Sequence, residues 1–151
     1  MVIVGSVDRA DTYGSGHADF LARLRRRVEQ SIESQAQMQA LHVQADLSPS
    51  ERTSFVNSIK AELVILLDAR GEPGEGGIAT YYFSKSNAVS DVGRSASNYI
   101  REELVNQTGA KDFGSYAEDS EDLMLPTAPT VSVEVGNFGD SSDLVRFLGG
   151  P

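Results

Sequence analysis

The chain has 151 residues, a formal charge of −9 and no cysteine. The length predicts one domain, residues 1–151, and the lack of cysteine excludes disulfides, thiolate metal sites and a cysteine nucleophile. The negative charge argues against binding to nucleic-acid phosphates, and no apolar run approaches the roughly 20 residues that cross a bilayer, so no membrane insertion is expected.

The first residues do not resemble an export signal. Met1–Val4 is apolar but is followed by Gly, Ser, Val and Asp, without a charged n-region or an apolar h-region. We therefore expect no signal peptide in this chain. The sequence leaves the location open between the cell envelope and the cytoplasm.

The first third of the chain predicts a strand, a helix and a shorter strand. Met1–Val7 is typical of a short buried strand, and Asp8–Gly16 of a loop. A helix is predicted over His17–Gln37 because apolar residues recur every four positions, at Phe20, Leu24, Val28 and Ile32. Gln39–Gln44 predicts a second strand, in which His42 is interpreted as a structural imidazole.

The strongest local signal is a helix start at Ser48. Ser48 is an N-cap residue, Pro49 occupies the first helical position, and Glu51 completes a capping box. The predicted helix ends near Ala61. It is followed by the continuous apolar run Leu63–Leu67, which is typical of a strand covered on both faces and ends at Asp68.

The second half of the chain predicts a loop, a strand and a helix. Gly71–Gly77 indicates a loop and Ile78–Phe83 a strand rich in β-branched and aromatic residues. A helix is predicted over Val89–Gln107 and ends at Gly109. Its apolar stripe is predicted to comprise Val92, Ala96, Tyr99, Ile100 and Leu104.

An acidic segment leads into the last elements. Lys111–Pro129 predicts a long, partly ordered excursion with one short strand near Leu123–Leu125, and Ser142–Leu148 predicts a final helix. Between them Thr130–Gly136 alternates apolar and polar residues as a strand does, which puts Glu134 opposite the valines. Two interpretations stay open: an edge strand with an ordinary exposed Glu134, or a cleft carboxylate at the carboxyl end of a strand.

The alternation of strands and helices predicts an α/β layer fold. Several segments, taken in order, resemble the zinc-dependent N-acetylmuramoyl-L-alanine amidases, in particular the branch whose sheet strand ends in Ser-Ile-His-Ala-Asn. The matching segments are Leu47–Arg52, Asn57, Ala61–Leu63, Gly77–Tyr82, Ser95–Val105, Gly109–Asp112, Gly114 and Pro129–Gly136. The resemblance implies a twisted, mostly parallel β-sheet with helices on both faces and assigns Glu134 to the family's catalytic Glu.

The resemblance fails at the metal ligands. The family holds zinc through His, Glu and His, and the metal activates a water for amide hydrolysis. Here Asp68 replaces the strand-end His, the segment Gly5–Ala10 contains no His, and the helix that should open with a ligand Glu opens around His17. Zinc is expected for the family, but its ligands are missing, so we predict no cofactor and a vestigial Glu134.

A remodelled metal site remains an alternative. His17 and Asp68 could converge with Asp8 or Asp19, and such an oxygen-rich set suits Mg²⁺ or Mn²⁺ better than zinc. Without a metal, Glu134 alone contributes about 10²–10⁴ in rate by proton transfer, which is far less than amide hydrolysis needs.

Three functions follow from this pattern. The first is an inactive amidase-like domain with a binding or regulatory role in cell-wall metabolism, whose partner is a peptidoglycan fragment or a cell-wall protein. The second is an active peptidoglycan amidase whose metal site is built from His17, Asp68 and Glu134. The third is an assembly domain that no longer binds peptidoglycan and docks a protein through its former cleft or through Glu118–Asp122.

Overall fold

A computed structural model describes residues 2–6, 15–35, 38–43, 47–70, 76–85, 88–120, 123 and 126–137. In chain order the elements are β1 (Val2–Ser6), α1 (Ser15–Glu33), β2 (Ala40–His42), α2 (Pro49–Ser58), β3 (Leu63–Arg70), β4 (Ile78–Lys85), β5 (Ala88–Val89), α3 (Asp91–Thr108), β6 (Asp112–Glu118) and β7 (Thr130–Asn137). None of the helices described is both long and apolar enough to span a bilayer.

The strands form one mixed sheet in the order β2-β1-β3-β7-β4, with β6 on the far side of β4. β2, β1, β3 and β7 are parallel, and β4 runs antiparallel to β7 but parallel to β6. The short β5 pairs only with the last residues of β4. This arrangement confirms the predicted α/β class and the mostly parallel sheet.

Helices cover both faces of the sheet, as predicted. The larger core lies under α1 and α3, where Phe20, Leu21 and Leu24 pack on alternate residues of the central strands. The smaller core lies on the other face, where α2 contributes Phe55 and Val56. Alternation along β3 explains the division: its odd-numbered residues face the larger core, and Val64 and Leu66 face the smaller one.

The predicted capping box is present at the start of α2. The Ser48 hydroxyl accepts from the Glu51 N–H at 3.2 Å, and the Glu51 carboxylate accepts from the Ser48 N–H at 2.9 Å. The helix ends at Ser58, three residues before the predicted end, because Lys60 adopts a left-handed φ of 52°. α3 ends as predicted, with Gly109 at φ 68° as its C-cap.

Several predictions about the second half are wrong. The excursion contains the strand β6, which was not predicted, and the predicted short strand near Leu123–Leu125 lies mostly outside the described residues. The sequence pattern did not predict β6 because the segment Asp-Phe-Gly-Ser-Tyr-Ala-Glu has no β-branched residue. The strand conformation of this segment is fixed by its pairing with β4. Two residues of the predicted stripe of α3, Val92 and Tyr99, are exposed, whereas Ala96, Ile100 and Leu104 do pack on the core.

The strand that carries Glu134 is not at an edge. β7 lies between β3 and β4, so the interpretation of an edge strand is wrong. The predicted loop Asp8–Gly16 falls almost entirely outside the described residues, as do most of Gly71–Gly77 and the predicted helix Ser142–Leu148.

Candidate functional site

Two carboxylates meet at the carboxyl ends of β3 and β7. Asp68 and Glu134 are direct register partners on these parallel strands, so both side chains project from the same face of the sheet. On the other side of β7, Glu134 lies opposite Ala79 of β4. Asp68 is buried and Glu134 half-buried, which puts both at the edge where open α/β sheets hold their ligands.

A local irregularity in β7 shapes this edge. The pairing runs from Asp68 with Glu134 to Arg70 with Asn137, so β7 carries one extra residue there. Gly136 accommodates the irregularity at φ 63°, and its N–H donates to the Gly77 carbonyl at 2.7 Å. The bulge therefore ends the regular ladder immediately after the two carboxylates.

His17 approaches the same edge from the other side. It lies near the start of α1 with 0% of its surface exposed, and its Nε2 is 2.9 Å from the Ala69 carbonyl oxygen. A carbonyl oxygen can only accept, so Nε2 carries a proton and donates. Asp68 Oδ1 lies 3.6 Å from this nitrogen and accepts from the Ala69 N–H at 2.8 Å.

This arrangement does not place a zinc ion between His17 and Asp68. Zinc binds a ring nitrogen through its lone pair at about 2.0–2.1 Å, whereas Nε2 of His17, the nitrogen that faces Asp68, donates to a backbone carbonyl. A metal-bound histidine commonly donates its other ring N–H to a backbone carbonyl, so the bond to Ala69 leaves Nδ1 of His17 as the nitrogen whose lone pair a metal could use. Within the described ranges, no three His, Cys, Asp or Glu side chains form a group that could hold a metal ion. Of the other proposed ligands, Asp19 is exposed on α1, and Asp8 lies outside the described residues.

The second histidine belongs to a different surface. His42 ends β2 with 39% of its side chain exposed and has a hydrogen bond with the backbone of Val4, which agrees with the structural imidazole expected from the sequence. Partial burial and the nearby Arg25 guanidinium lower the pKa of His42, while Glu29, 3.9 Å away, opposes that shift. His42 is not part of the strand-end group, which consists of His17, Asp68 and Glu134 at the carboxyl ends of β3 and β7.

The sequence did not reveal an open pocket beside Glu134. It has a volume of about 400 Å³ and is lined by Ala79, Tyr81, Phe113, Tyr116, Ala117 and Glu118, from β4 and β6. Residues Gly114, Tyr116 and Glu118 alternate along β6, which was the available signal. Tyr116 is the one typical strand residue of the three, and Gly and Glu are depleted in strands, so the pattern did not indicate a strand.

Comparison with known proteins identifies the family. A sequence profile described as N-acetylmuramoyl-L-alanine amidase matches residues 5–147. The chain belongs to the N-acetylmuramoyl-L-alanine amidase family. It is 30% identical over 131 residues to N-acetylmuramoyl-L-alanine amidase CwlM of Mycobacterium tuberculosis (strain ATCC 25618 / H37Rv), covering 83% of the chain but only 32% of that relative. The amidase-family chain thus spans about a third of the curated relative it matches.

Solved amidase structures share the fold. An N-acetylmuramoyl-L-alanine amidase from Clostridium difficile 630 superposes with a TM-score of 0.79 at 15% identity, covering 98% of this chain and 86% of that one. The catalytic domain of CwlV from Bacillus (Paenibacillus) polymyxa var. colistinus gives 0.76 at 18% identity, covering 97% and 91%. These likenesses establish an amidase-like α/β fold, as the sequence resemblance implied.

Proposed function

We propose that this amidase-family domain is catalytically inactive and serves a binding or regulatory role in peptidoglycan metabolism. The observation that carries the proposal is Asp68 at the position of the family's strand-end His, because its Oδ1 accepts from a backbone N–H. The only imidazole at the strand-end edge, among the described residues, donates Nε2–H to a main-chain carbonyl at 2.9 Å. Asp68 stands where the family has its strand-end His, and it accepts from the next backbone N–H at 2.8 Å.

These contacts stabilise the end of β3. His17 and Asp68 satisfy backbone groups of Ala69 at a buried position, where an unsatisfied carbonyl or N–H would cost about 1–3 kcal/mol. Glu134 keeps the family's position for a proton shuttle. A lone general base contributes about 10²–10⁴ in rate, which supports binding without turnover.

The test measures both the zinc content of the purified domain and its cleavage of a muropeptide. We expect the purified domain to contain well below one equivalent of zinc by elemental analysis and to leave a muropeptide uncleaved. Glu134→Gln should then leave both readouts unchanged, as should Asp19→Ala, which removes an exposed carboxylate of α1. Stoichiometric zinc, with cleavage that a chelator abolishes, would contradict the proposal.

A second candidate is an active amidase with a remodelled metal site. It is favoured by the register that pairs Asp68 with Glu134 and by the 3.6 Å between Asp68 Oδ1 and His17 Nε2. With Nε2 as the ligand, it requires His17 to give up its bond to Ala69 and rotate, whereas Nδ1 could bind a metal with that bond kept. It predicts that Asp68→Ala and His17→Ala each remove both metal and activity, whereas Asp19→Ala does not. If neither substitution changes the bound metal, this candidate fails.

A further inference from the structure

The face of the sheet that carries Glu134 divides into a covered half and an open half. α2 covers the part around Val43, Val64 and Leu66. Beyond β7, within the described chain, no helix packs on the corresponding side of β4 and β6, since α3 contacts these strands from the opposite face through Thr80. The 400 Å³ pocket lies on this open half.

One lining residue of the pocket, Ala79, lies in the same row of the sheet as Glu134. Glu134 is the register partner of Ala79, and Ala79 is that of Gly114, so the three lie in one row across β7, β4 and β6. Neighbouring Cβ positions in such a row are about 5 Å apart. The next row places Tyr81 beside Tyr116 and Ser132, so the pocket extends from the row of Glu134 across the sheet face, away from the carboxyl end of β7.

The pocket walls are aromatic. The rings of Tyr81 and Tyr116 have centroids 5.9 Å apart at an interplanar angle of 31°, and Tyr116 is 51% exposed. The Tyr116 hydroxyl donates to the Phe113 carbonyl, which ties the ring back over Gly114, where an added Cβ would lie 3.3 Å from that hydroxyl. Two ring faces are thereby held at the pocket in a fixed arrangement.

The charges at the pocket favour a cation. Glu118 follows Tyr116 by two residues on the same face of β6, and among the described residues that line the pocket none is basic. Lys111 Nζ lies 5.3 Å from the centroid of the Phe113 ring, so a ligand ammonium is expected on the side of Tyr81, Tyr116 and Glu118, away from Phe113. Aromatic faces with a nearby carboxylate are the surroundings in which proteins bind ammonium groups.

We propose that the pocket formed by Tyr81, Tyr116 and Glu118 binds a primary ammonium group on an apolar stem, as carried by the diamino-acid residue of a peptidoglycan stem peptide. The ammonium lies against the Tyr116 ring and pairs with the Glu118 carboxylate. The rest of the ligand runs across the rows of β6 and β4 towards Glu134. The identity of the stem peptide rests on the proposed function; the preference for a cation rests on the pocket alone.

The test compares two probes by isothermal titration calorimetry. One is a muramyl tripeptide that ends in L-lysine, and the other is the same compound with its side-chain amine acetylated. We expect acetylation to weaken binding about tenfold or more, as a lost cation–π contact and ion pair predict. An unrelated peptide, acetyl-Ala-Lys-Ala-amide, should bind more weakly than the tripeptide, and equal affinity would overturn the assignment to a stem peptide.

Variants identify the site. Tyr116→Leu and Glu118→Gln should each weaken binding of the tripeptide about tenfold, whereas Tyr99→Leu, an exposed tyrosine on α3 at 68% exposure, should not. The conservative Glu118→Gln keeps the test valid if Tyr116→Leu disturbs β6. Unchanged affinity in both pocket variants, equal affinity for the acetylated probe, or no binding of either probe would overturn the proposal.

This result is separable from the test of inactivity. If the domain proves to be a zinc enzyme and the pocket variants still lose the tripeptide, the proposed inactivity fails and the pocket is its substrate subsite. If the domain has neither zinc nor turnover and binds the tripeptide independently of Tyr116 and Glu118, the pocket assignment fails and the proposed binding role stands.

Discussion

The strand-end group and the aromatic pocket are neighbours on one sheet, yet their polar atoms are used in opposite ways. At the strand end, His17 and Asp68 are buried and satisfy the backbone of Ala69. In the pocket, Tyr116 and Glu118 are exposed. Side chains that complete the interior are unavailable to a ligand without a rearrangement, whereas exposed rings beside a carboxylate are available without one. Substitutions at the strand end should therefore reduce the stability of the fold, and substitutions in the pocket should reduce ligand binding.

The largest expected effect is at His17. We expect His17→Ala to lower the free energy of unfolding by about 2–4 kcal/mol, because it leaves a cavity in a fully buried position and removes the donor to the Ala69 carbonyl. Denaturant unfolding measures the change. The control is His42→Ala, at a position 39% exposed, which should cost less than about 0.5 kcal/mol. Equal costs for the two substitutions would mean that the strand-end histidine is not structural.

The second largest effect is expected at Arg101, which supports the strand that carries the pocket. β6 is held to α3 by Arg101, whose Nη1 donates to both carboxylate oxygens of Asp112 at 2.8 and 2.7 Å and whose Nε donates to Ser115 Oγ at 3.0 Å. Arg101→Ala should cost about 1–2 kcal/mol in unfolding free energy. It should also weaken binding of the muramyl tripeptide, because it loosens the strand that carries Tyr116.

A matched arginine on the same helix separates this effect from a general loss of charge. Arg94 is exposed, and its Nη2 donates to Asp91 Oδ1, three residues earlier on the same helix, at 3.1 Å. Arg94→Ala should change the unfolding free energy by less than about 0.5 kcal/mol and leave tripeptide binding intact. If the two arginine variants behave alike, the bonds of Arg101 do not fix β6.

Local chemistry in the sequence was enough to predict most of the fold. The capping box at Ser48, the apolar run of Leu63–Leu67 and the terminating Gly109 act through neighbouring residues, so each could be interpreted from a few positions. β6 could not be predicted in this way, because its register with β4 and its anchor at Arg101 come from residues distant in the chain. The position of β7 inside the sheet is likewise set by pairing rather than by its own pattern.

In the candidate site, too, some features could be predicted from the sequence and others could not. The proximity of Asp68 and Glu134 follows from two parallel strands ending together, and the sequence offered it only within the alternative of a remodelled metal site. The bond from His17 to Ala69 could not be predicted, because it depends on the entry angle of α1 over the end of β3. The pocket was missed together with β6, since two of its rings belong to Phe113 and Tyr116 on that strand.

The smallest expected effect is a pH dependence of the attachment of β6. The hydrogen bond from Arg101 lowers the pKa of Asp112, and the Gly114 N–H acts in the same direction, with partial burial opposing both. The unfolded chain therefore binds a proton more readily than the folded one as the pH falls below about 4, the ordinary range of an aspartate. The stabilisation is fully present above that range and declines through it towards the lowered pKa of the folded state.

Asp112→Asn isolates this dependence from the titration of the other carboxylates. We expect the difference in unfolding free energy between the wild type and Asp112→Asn to stay below about 1 kcal/mol at pH 6, because 42% of the Asp112 side chain is exposed to screening by solvent. The difference should shrink as the pH is lowered from 5 to about 2.5 and should be smaller throughout in about 1 M sodium chloride. A difference that grows on acidification would contradict the sign argued here and would mean that Asp112 does not hold β6 through its charge.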